Sequence, residues 1–454
     1  MQFELTYSER SPRLVLIFAG WGITPPLFGG VNLPGYDIGV AYDYTTMDVP
    51  WADTLAHYDE IAVVAWSYGV PAAARFITDH PELPFTARIA VNGTMHPVDA
   101  ERGIAPEIFA GTLAGLDERS LRKFNMRMCG GARRFAGYET LLQRHDIDIL
   151  RAELEAIGNR TTPPLLWDKA VVSLGDAIIP PEAQMSAWSD EAAETMTVEG
   201  PHLPDFHALL GMMLTDKSLV ARRFGKAGKT YDENATIQHA ISDRLIGMVS
   251  HAEGLDILEI GAGTGRATRC LAGMKPRSLR VWDLHIHPSL GLDGIEATEC
   301  DAEAAIGRLP DSSVDLIFSA STVQWFNSLP AFLRRAARVL RPGGELVIST
   351  FGPETMCEVL EATGNRSRFP SADTIRRMIP PGLTLTAMEC ETTVLEFDTP
   401  LDVLRHIRAT GVNSLDAGAD RSAAMRVMRR YPLNQKGKAP LTYQGVYLRL
   451  GRNK

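Results

Sequence analysis

Two places in the chain pass from an apolar, β-branched run into a helix-forming run across a turn of only a few residues. They are "VVAWSYGVPAAARF" (63–76) and "LDILEIGAGTGRATRCL" (255–271). A strand with no polar alternation must be covered on both faces, and a helix directly after it supplies one cover. Each junction therefore calls for a parallel sheet between helices, an α/β fold. Two such junctions in a chain of 454 residues exceed what one hydrophobic core usually holds. Strand-like runs recur at 14–20, 38–44, 61–67, 88–94, 169–175 and 195–200, then stop near "LGMMLTDKSLVARRF". We place one domain at 1–215 and a second at 216–454.

Several function classes fall away on bulk properties. The net charge of −9 gives no footprint for nucleic acid. No run approaches the ~20 apolar residues of a membrane span. The start, "MQFELTYSERSPRLVLIFAG", lacks the basic opening and small-residue cleavage site of a signal peptide. Cys129, Cys270, Cys300, Cys357 and Cys390 are scattered, with no C-x-x-C pair, so neither a disulfide framework nor a zinc site is expected. These features suit a cytoplasmic protein.

In the first half, Ser67 stands at the carboxyl end of a buried strand within A-W-S-Y-G. This departs from the G-x-S-x-G nucleophile elbow only at Ala65, and alanine is small enough for the crowded turn. The alternative is a serine that caps the following helix. In an α/β-hydrolase the acid follows a later strand and the histidine follows the last one. Asp176 in "VVSLGDAIIPPEAQ" and His202 in "VEGPHLPDFH" stand at those places, with His207 in reserve. His202 would take the Ser67 proton, and Asp176 would orient the imidazole. The oxyanion needs two aimed donors, for which the backbone N–H groups of Tyr68 and Trp21 are the candidates. Residues 105–165 show no strand pattern and read as a helical cap. It carries Arg119, Arg122, Lys123, Arg127, Arg133, Arg134 and Arg144 against one acid between them, Glu139. This is either a solvated face or a dock for an acidic partner.

"FAGWG", "YDY", "AWSYGV", "NGTMHPVD…GI", "FNMRMCG" and "GPH" together resemble the BioG-type pimeloyl-acyl-carrier-protein methyl ester esterases. The resemblance covers most of residues 1–215. It implies a serine esterase acting on a substrate carried by acyl carrier protein, an acidic partner for the basic cap.

The second half opens with the acid-led turn E-x-G-x-G-x-G: Glu259, Gly261, Gly263 and Gly265. A nicotinamide fingerprint has a different spacing and seats a pyrophosphate. A carboxylate before the first glycine suits a cofactor bearing an ammonium, such as S-adenosylmethionine. Asp283, 24 residues after Glu259 at the next strand end, can accept two ribose hydroxyls. Asp301 is placed to meet the adenine amino group. "SVDLIFSASTVQWF" and "RPGGELVIST" supply the fourth and fifth strands, giving a class I, Rossmann-like methyltransferase domain. His285 and His287 form H-x-H, but no nearby acid or cysteine completes a metal site, so no metal is expected. No base is evident for an amine or phenol acceptor. A carboxylate acceptor, already ionised near neutrality, needs none. Arg408, Gln324 and Tyr443 are candidates to hold it.

"FGKAGKTYDENATIQ", "STVQWFNSL", "HIRATGVNSLDAG" and "PLTYQGVYLRL" resemble the BioC-type malonyl-acyl-carrier-protein O-methyltransferases over nearly all of 217–452. Ala262 and Thr264 stand where relatives often carry Cys and Pro. The whole chain then resembles a fusion of the two enzymes of one biotin-synthesis strategy, with malonyl- and pimeloyl-methyl-ester-loaded carrier as partners. Two alternatives stay open. One is a small-molecule carboxyl methyltransferase fused to an unrelated esterase. The other makes the first domain a non-catalytic docking module for the carrier.

Overall fold

The computed structural model describes residues 1–142, 146–290, 295–364, 367, 369–410 and 421–453. The chain forms two compact units, Met1–Asp216 and Lys217–Lys454. Arg144 of the basic cap and most of "HIRATGVNSLDAG" lie outside the described residues.

The first unit holds seven strands: β1 Gln2–Tyr7, β2 Arg13–Phe18, β3 Asp37–Tyr42, β4 Glu60–Trp66, β5 Phe85–Val91, β6 Trp167–Ser173 and β7 Ala192–Val198. They form one sheet in the order β1-β3-β2-β4-β5-β6-β7. Only β1 runs antiparallel, along β3 at the edge. The central strands alternate between two apolar layers. Leu14, Leu16 and Phe18 belong to one, Val15, Ile17 and Ala19 to the other, and all are fully buried. Each leucine, valine or isoleucine so placed contributes about 1.5–3 kcal/mol, which is why these strands show no polar alternation. The chain order reverses at β2: β3 lies on one side and β4 on the other. Loops leaving the carboxyl ends of β2 and β4 therefore part there and open a crevice.

Helices of the first unit are α1 Gly69–Asp79, α2 Pro106–Ala114, α3 Glu118–Met128, α4 Ala132–Phe135, α5 Ile147–Gly158, α6 Pro181–Glu191 and α7 Phe206–Met213. Helices α2 to α5 make up the insert between β5 and β6. The result is an α/β-hydrolase-like sheet with a helical cap.

The second unit begins with α8 Lys217–Asn234 and α9 Thr236–Gly247. Its strands are β8 Asp256–Ile260, β9 Ser278–Asp283, β10 Glu296–Glu299, β11 Val314–Ser319, β12 Leu340–Phe351, β13 Leu383–Phe397 and β14 Ala439–Arg452. Their order is β10-β9-β8-β11-β12-β14-β13. β14 runs antiparallel to both β12 and β13. Five parallel strands with an antiparallel pair at one edge are the class I methyltransferase sheet. The order again reverses, between β8 and β11, and opens a crevice above their carboxyl ends. After β8 comes α10, Arg266–Gly273, and after β10 comes α11, Ala302–Ala305. Among the described residues no helix is long and apolar enough to cross a membrane.

Candidate active sites

β4 ends at Trp66 and α1 starts at Gly69, so Ser67 must reverse the chain almost alone. It does so at φ 56°, a left-handed conformation that a non-glycine residue holds only under external constraint. The constraint is close packing of backbone. A Cβ at Gly69 would lie 2.3 Å from the Phe18 carbonyl oxygen, which excludes any side chain there. The Ser67 hydroxyl does not cap α1, whose N-cap is Tyr68 with no side-chain bond. Instead Oγ lies 2.9 Å from Nε2 of His202, and Nδ1 of His202 lies 2.8 Å from Oδ2 of Asp176. All three side chains are buried. An ionised carboxylate only accepts, so the Nδ1 proton points at Asp176 and Nε2 is left to accept from serine. The structure thus brings Ser67, Asp176 and His202 together, and His207 is exposed on α7.

Several residues that the sequence did not single out hold this array. Asp176 also accepts from the Ile178 and Ile179 N–H groups and from Gln184 Nε2 at 2.8 Å. The His202 carbonyl receives Trp66 Nε1 at 2.9 Å and Asn92 Nδ2 at 2.8 Å. Nothing in their spacing marks Gln184 or Asn92 as neighbours of a triad, because those contacts span distant segments.

A cavity of about 610 Å³ opens over Ser67. Trp21, Tyr68 and His202 line its floor, while Ile108, Phe109, Phe124, Arg127 and Leu154 line it from the insert. Trp21 uses its indole to donate to the Leu150 carbonyl. Among the described residues its main-chain N–H has no acceptor within the chain. The insert presents Arg119, Arg122, Lys123 and Arg127 at i, i+3, i+4 and i+8, one exposed face of α3. Arg127 also borders the cavity, so the basic stripe runs to its mouth. Arg122 is paired with Glu139 and lies over the Phe135 ring. Arg133 is exposed, and Arg134 lies over Tyr138.

In the second unit a cavity lies above the ends of β8 and β11. Gly261, Gly263, Asp283, Asp301, Ser321 and Thr322 line it, closed on one side by Lys217, Val220, Ala221 and Phe224 of α8. These four repeat at helical spacing and form one face of α8. Gly261 has φ 79°, and a Cβ there would fall 1.9 Å from Thr322 Oγ1, so the turn can only be glycine. Gly265 is the left-handed N-cap of α10. Glu259 sits behind the turn, 1% exposed. Burial pushes its carboxyl up to about 7. Its Oε2 has no donor among the described residues, and Glu259 is not among the residues that line the cavity.

Asp283 accepts from the Gly263 N–H at 3.0 Å and the His285 N–H at 3.1 Å. Burial raises its pKa. Each oxygen retains acceptor capacity beyond these bonds, and Asp283 lines the cavity. Asp301 reaches the cavity but is already engaged. It caps α11, and its Oδ2 lies 2.7 Å from Lys217 Nζ. Lys217 also meets Glu303 at 2.6 Å, and Glu303 accepts from Asn327 and Ser328 N–H groups. This buried cluster had no sequence signal, since its members come from α8, α11 and the loop after β11. His285 and His287 line the cavity, but among the described residues no three metal-donor side chains cluster. Arg408, Gln324 and Tyr443 do not line it: Arg408 is exposed, Tyr443 is buried in the core, and Gln324 donates to the Ser321 carbonyl.

Comparison with known proteins adds the following. The family model described as pimeloyl-ACP methyl esterase BioG matches residues 2–208, and one described as methyltransferase domain matches 258–348. A malonyl-[acyl-carrier protein] O-methyltransferase of Bacteroides fragilis (strain 638R) is 33% identical over 454 residues, covering 96% of this chain and 92% of the relative. One from Halorhodospira halophila is 30% identical over 259 residues, 51% of this chain and 86% of the relative. The crystal structure of BioG from Haemophilus influenzae is 33% identical and covers 44% of this chain and 94% of its own, at a TM-score of 0.41.

Proposed function

The chain belongs to the malonyl-[acyl-carrier protein] O-methyltransferase family, and from that premise we propose that its two units add and later remove one methyl group. The second unit methylates the free carboxylate of malonyl-acyl-carrier protein with S-adenosylmethionine. The first hydrolyses the methyl ester of pimeloyl-acyl-carrier protein. Masking the carboxylate suits the apolar interiors of chain-elongating enzymes, where a buried charge is costly. The observation that carries this reading is the Ser67–His202–Asp176 array beneath a cavity, in the same chain as an acid-glycine methyltransferase turn.

In the esterase unit, His202 takes the Ser67 proton as Oγ attacks the ester carbonyl. The N–H groups of Trp21 and Tyr68 receive the oxyanion. His202 then protonates the departing methoxide, and methanol leaves. Water, deprotonated by His202, hydrolyses the acyl-serine and frees the carboxylate. Asp176 fixes the imidazole throughout.

In the methyltransferase unit, S-adenosylmethionine supplies an electrophilic methyl group on a sulfonium. Asp283 suits the ribose hydroxyls and Glu259 the ammonium, and the bare glycine turn admits the bound group against backbone. Asp301, tied to Lys217, can reach an adenine amino group only while it also holds that cation. The acceptor carboxylate needs no base, so these residues act by alignment and exclusion of water. The direct test is product mass after incubating the protein with malonyl-carrier and S-adenosylmethionine, then with pimeloyl-carrier methyl ester.

The raised Glu259 pKa has a measurable consequence. An ammonium favours the carboxylate, so binding should release a proton near pH 7, and affinity should rise with pH toward a plateau above it. Below that range each pH unit should weaken S-adenosylmethionine binding by up to about tenfold. Calorimetry at about pH 6 and 8 checks this, and Glu259→Gln should flatten the dependence. A flat wild-type profile would remove Glu259 from the ammonium site.

The basic stripe makes a separate expectation. Esterase kcat/KM on carrier-bound substrate should fall by about tenfold between low salt and ~0.5 M, whereas a short free methyl ester should show little change. Charge reversal is best made at the exposed Arg119 and Lys123, because Arg122 also holds Glu139 and Phe135. Arg119→Glu with Lys123→Glu should raise KM for the carrier substrate alone. Equal loss on both substrates would point to damaged folding.

A further inference from the structure

Glu153 lies on α5, inside the helical insert, and no step above uses it. It is 4% exposed, and its two oxygens are shared between two loops of the sheet. Oε2 accepts the Gly22 N–H at 3.1 Å, and Oε1 accepts the Tyr44 N–H at 2.9 Å. Gly22 directly follows Trp21. One turn earlier on α5, the Leu150 carbonyl accepts the Trp21 indole N–H at 2.9 Å. Helix α5 therefore holds the Trp21–Gly22 segment by two bonds, one on each residue. The packing against α5 is close as well, since a Cβ at Gly22 would lie 2.7 Å from Leu150 Cδ2.

We propose that Glu153 is a positioning residue for ester hydrolysis: its ionised carboxylate fixes the loop that presents the Trp21 N–H to the oxyanion, and protonation releases that loop. This rests on the esterase reading of the Ser67 site. The chemistry is one of acceptor count. A carboxylate satisfies two converging N–H donors, one per oxygen. A carboxylic acid turns one oxygen into a hydroxyl, a weaker acceptor that must also place its own proton, so the N–H facing it loses much of its bond. Leaving a buried N–H unpaired is unfavourable, so the Gly22 or Tyr44 segment must move. A shift near one ångström at a catalytic donor is enough to slow the reaction severalfold or more.

The surroundings place this equilibrium within reach. Burial pushes the Glu153 carboxyl up to about 7, against the pull of its two N–H donors. Asp43, on the loop after β3, pushes the same way, while Arg160, just past α5, opposes it. Arg160 donates to the Thr45 carbonyl at 2.7 Å and so stays near the same loop. Among the described residues, the amino group of Met1, bound to the Thr46 and Asp48 carbonyls, and the buried Tyr44 hydroxyl, bound to the Ala19 carbonyl, also face it.

The experiment compares the pH dependence of kcat for a pimeloyl-carrier methyl ester in the wild type and in Glu153→Gln. Glutamine keeps one acceptor and the shape but cannot titrate. In the wild type, protonation of Glu153 should slow hydrolysis about tenfold without stopping it, so log kcat should show a step of about one unit on the acid side in addition to the single fall of slope one that loss of the general base gives. In Glu153→Gln the plateau kcat should drop about tenfold, KM should change less than about threefold, and the extra step should be absent, leaving a single fall of slope about one. Methyl transfer by the same preparation shows that the chain is folded. A Glu153→Gln plateau within about twofold of wild type, or a wild-type profile with no step beyond the single fall of slope one, would overturn the role of Glu153 while leaving the esterase reading intact. The step in the wild-type profile needs no variant, so it decides even if Glu153→Gln folds poorly. A wild-type protein that hydrolyses no methyl ester would overturn both.

Discussion

Ser67→Ala should hydrolyse pimeloyl-carrier methyl ester more slowly than the wild type by about four orders of magnitude or more, and should transfer methyl groups at the wild-type rate. The size follows from the way serine and histidine act as one unit: removing either leaves only binding and oxyanion stabilisation. The geometry leaves no substitute nucleophile at the turn. Among the described residues it is Ser67, held at φ 56° between β4 and α1, that presents its side chain to His202 Nε2, and alanine there has nothing to donate. Methyl transfer should be spared because Ser67, Asp176 and His202 lie within the first unit, while Glu259, Asp283 and Asp301 lie within the second. Asp283→Ala should do the reverse. It removes the acceptor proposed for two ribose hydroxyls and frees the Gly263 N–H it holds, so cofactor affinity falls while ester hydrolysis persists. Both activities are measured by product mass on the two purified variants. Substantial hydrolysis by pure Ser67→Ala protein would end the serine-esterase assignment.

The legible parts of this chain were those where backbone geometry restricts residue type. A buried strand closed by Ser67 and a small residue at Gly69 can be read because few other residues fit that turn. The same holds for Gly261, pressed against Thr322. Elements with looser demands stayed hidden. β1 is an edge strand with half-exposed residues, and its QFELTY run carries little apolar signal. Most of β13 is exposed or half-buried, so neither its length nor its pairing with β14 shows in periodicity. Charged residues in the interior were the hardest. Glu153 sits in RAELEAIG, which reads as an ordinary solvated helix face, yet it is buried and tied to two distant loops. Lys217 reads as one more base in a polar helix, yet it meets Asp301 and Glu303. Such residues pair with groups more than 80 positions away, and local pattern holds no information about that.

Two opposed activities in one chain require the esterase to tell its substrates apart, and chain length is the feature that distinguishes them. Carrier-bound pimeloyl methyl ester should exceed the malonyl methyl ester in kcat/KM by about two orders of magnitude. Without such a gap the first unit would strip each malonyl ester as it formed. Pimeloyl has four more methylenes between its carboxyl ends. Burying each is worth ~0.8 kcal/mol, roughly 3 kcal/mol together. That energy becomes rate only where the chain is held in the transition state as well as on binding. The cavity over Ser67 has the wall to do this. Ile104, Phe109, Phe124 and Leu154 line it, and Ile108 lines it while 60% exposed, so a longer acyl chain has apolar surface to cover. Reach adds a second filter. If the carrier rests on the α3 stripe, its acyl arm must pass Arg127 to deliver an ester carbonyl to Ser67, and a malonyl arm is four methylenes shorter. The comparison is made with the two carrier-bound esters and with Asp283→Ala protein, so that no methyl is added back during the assay. Values within about threefold of each other would mean that the wall does not select by length. Protection of the early ester would then have to come from something other than this cavity.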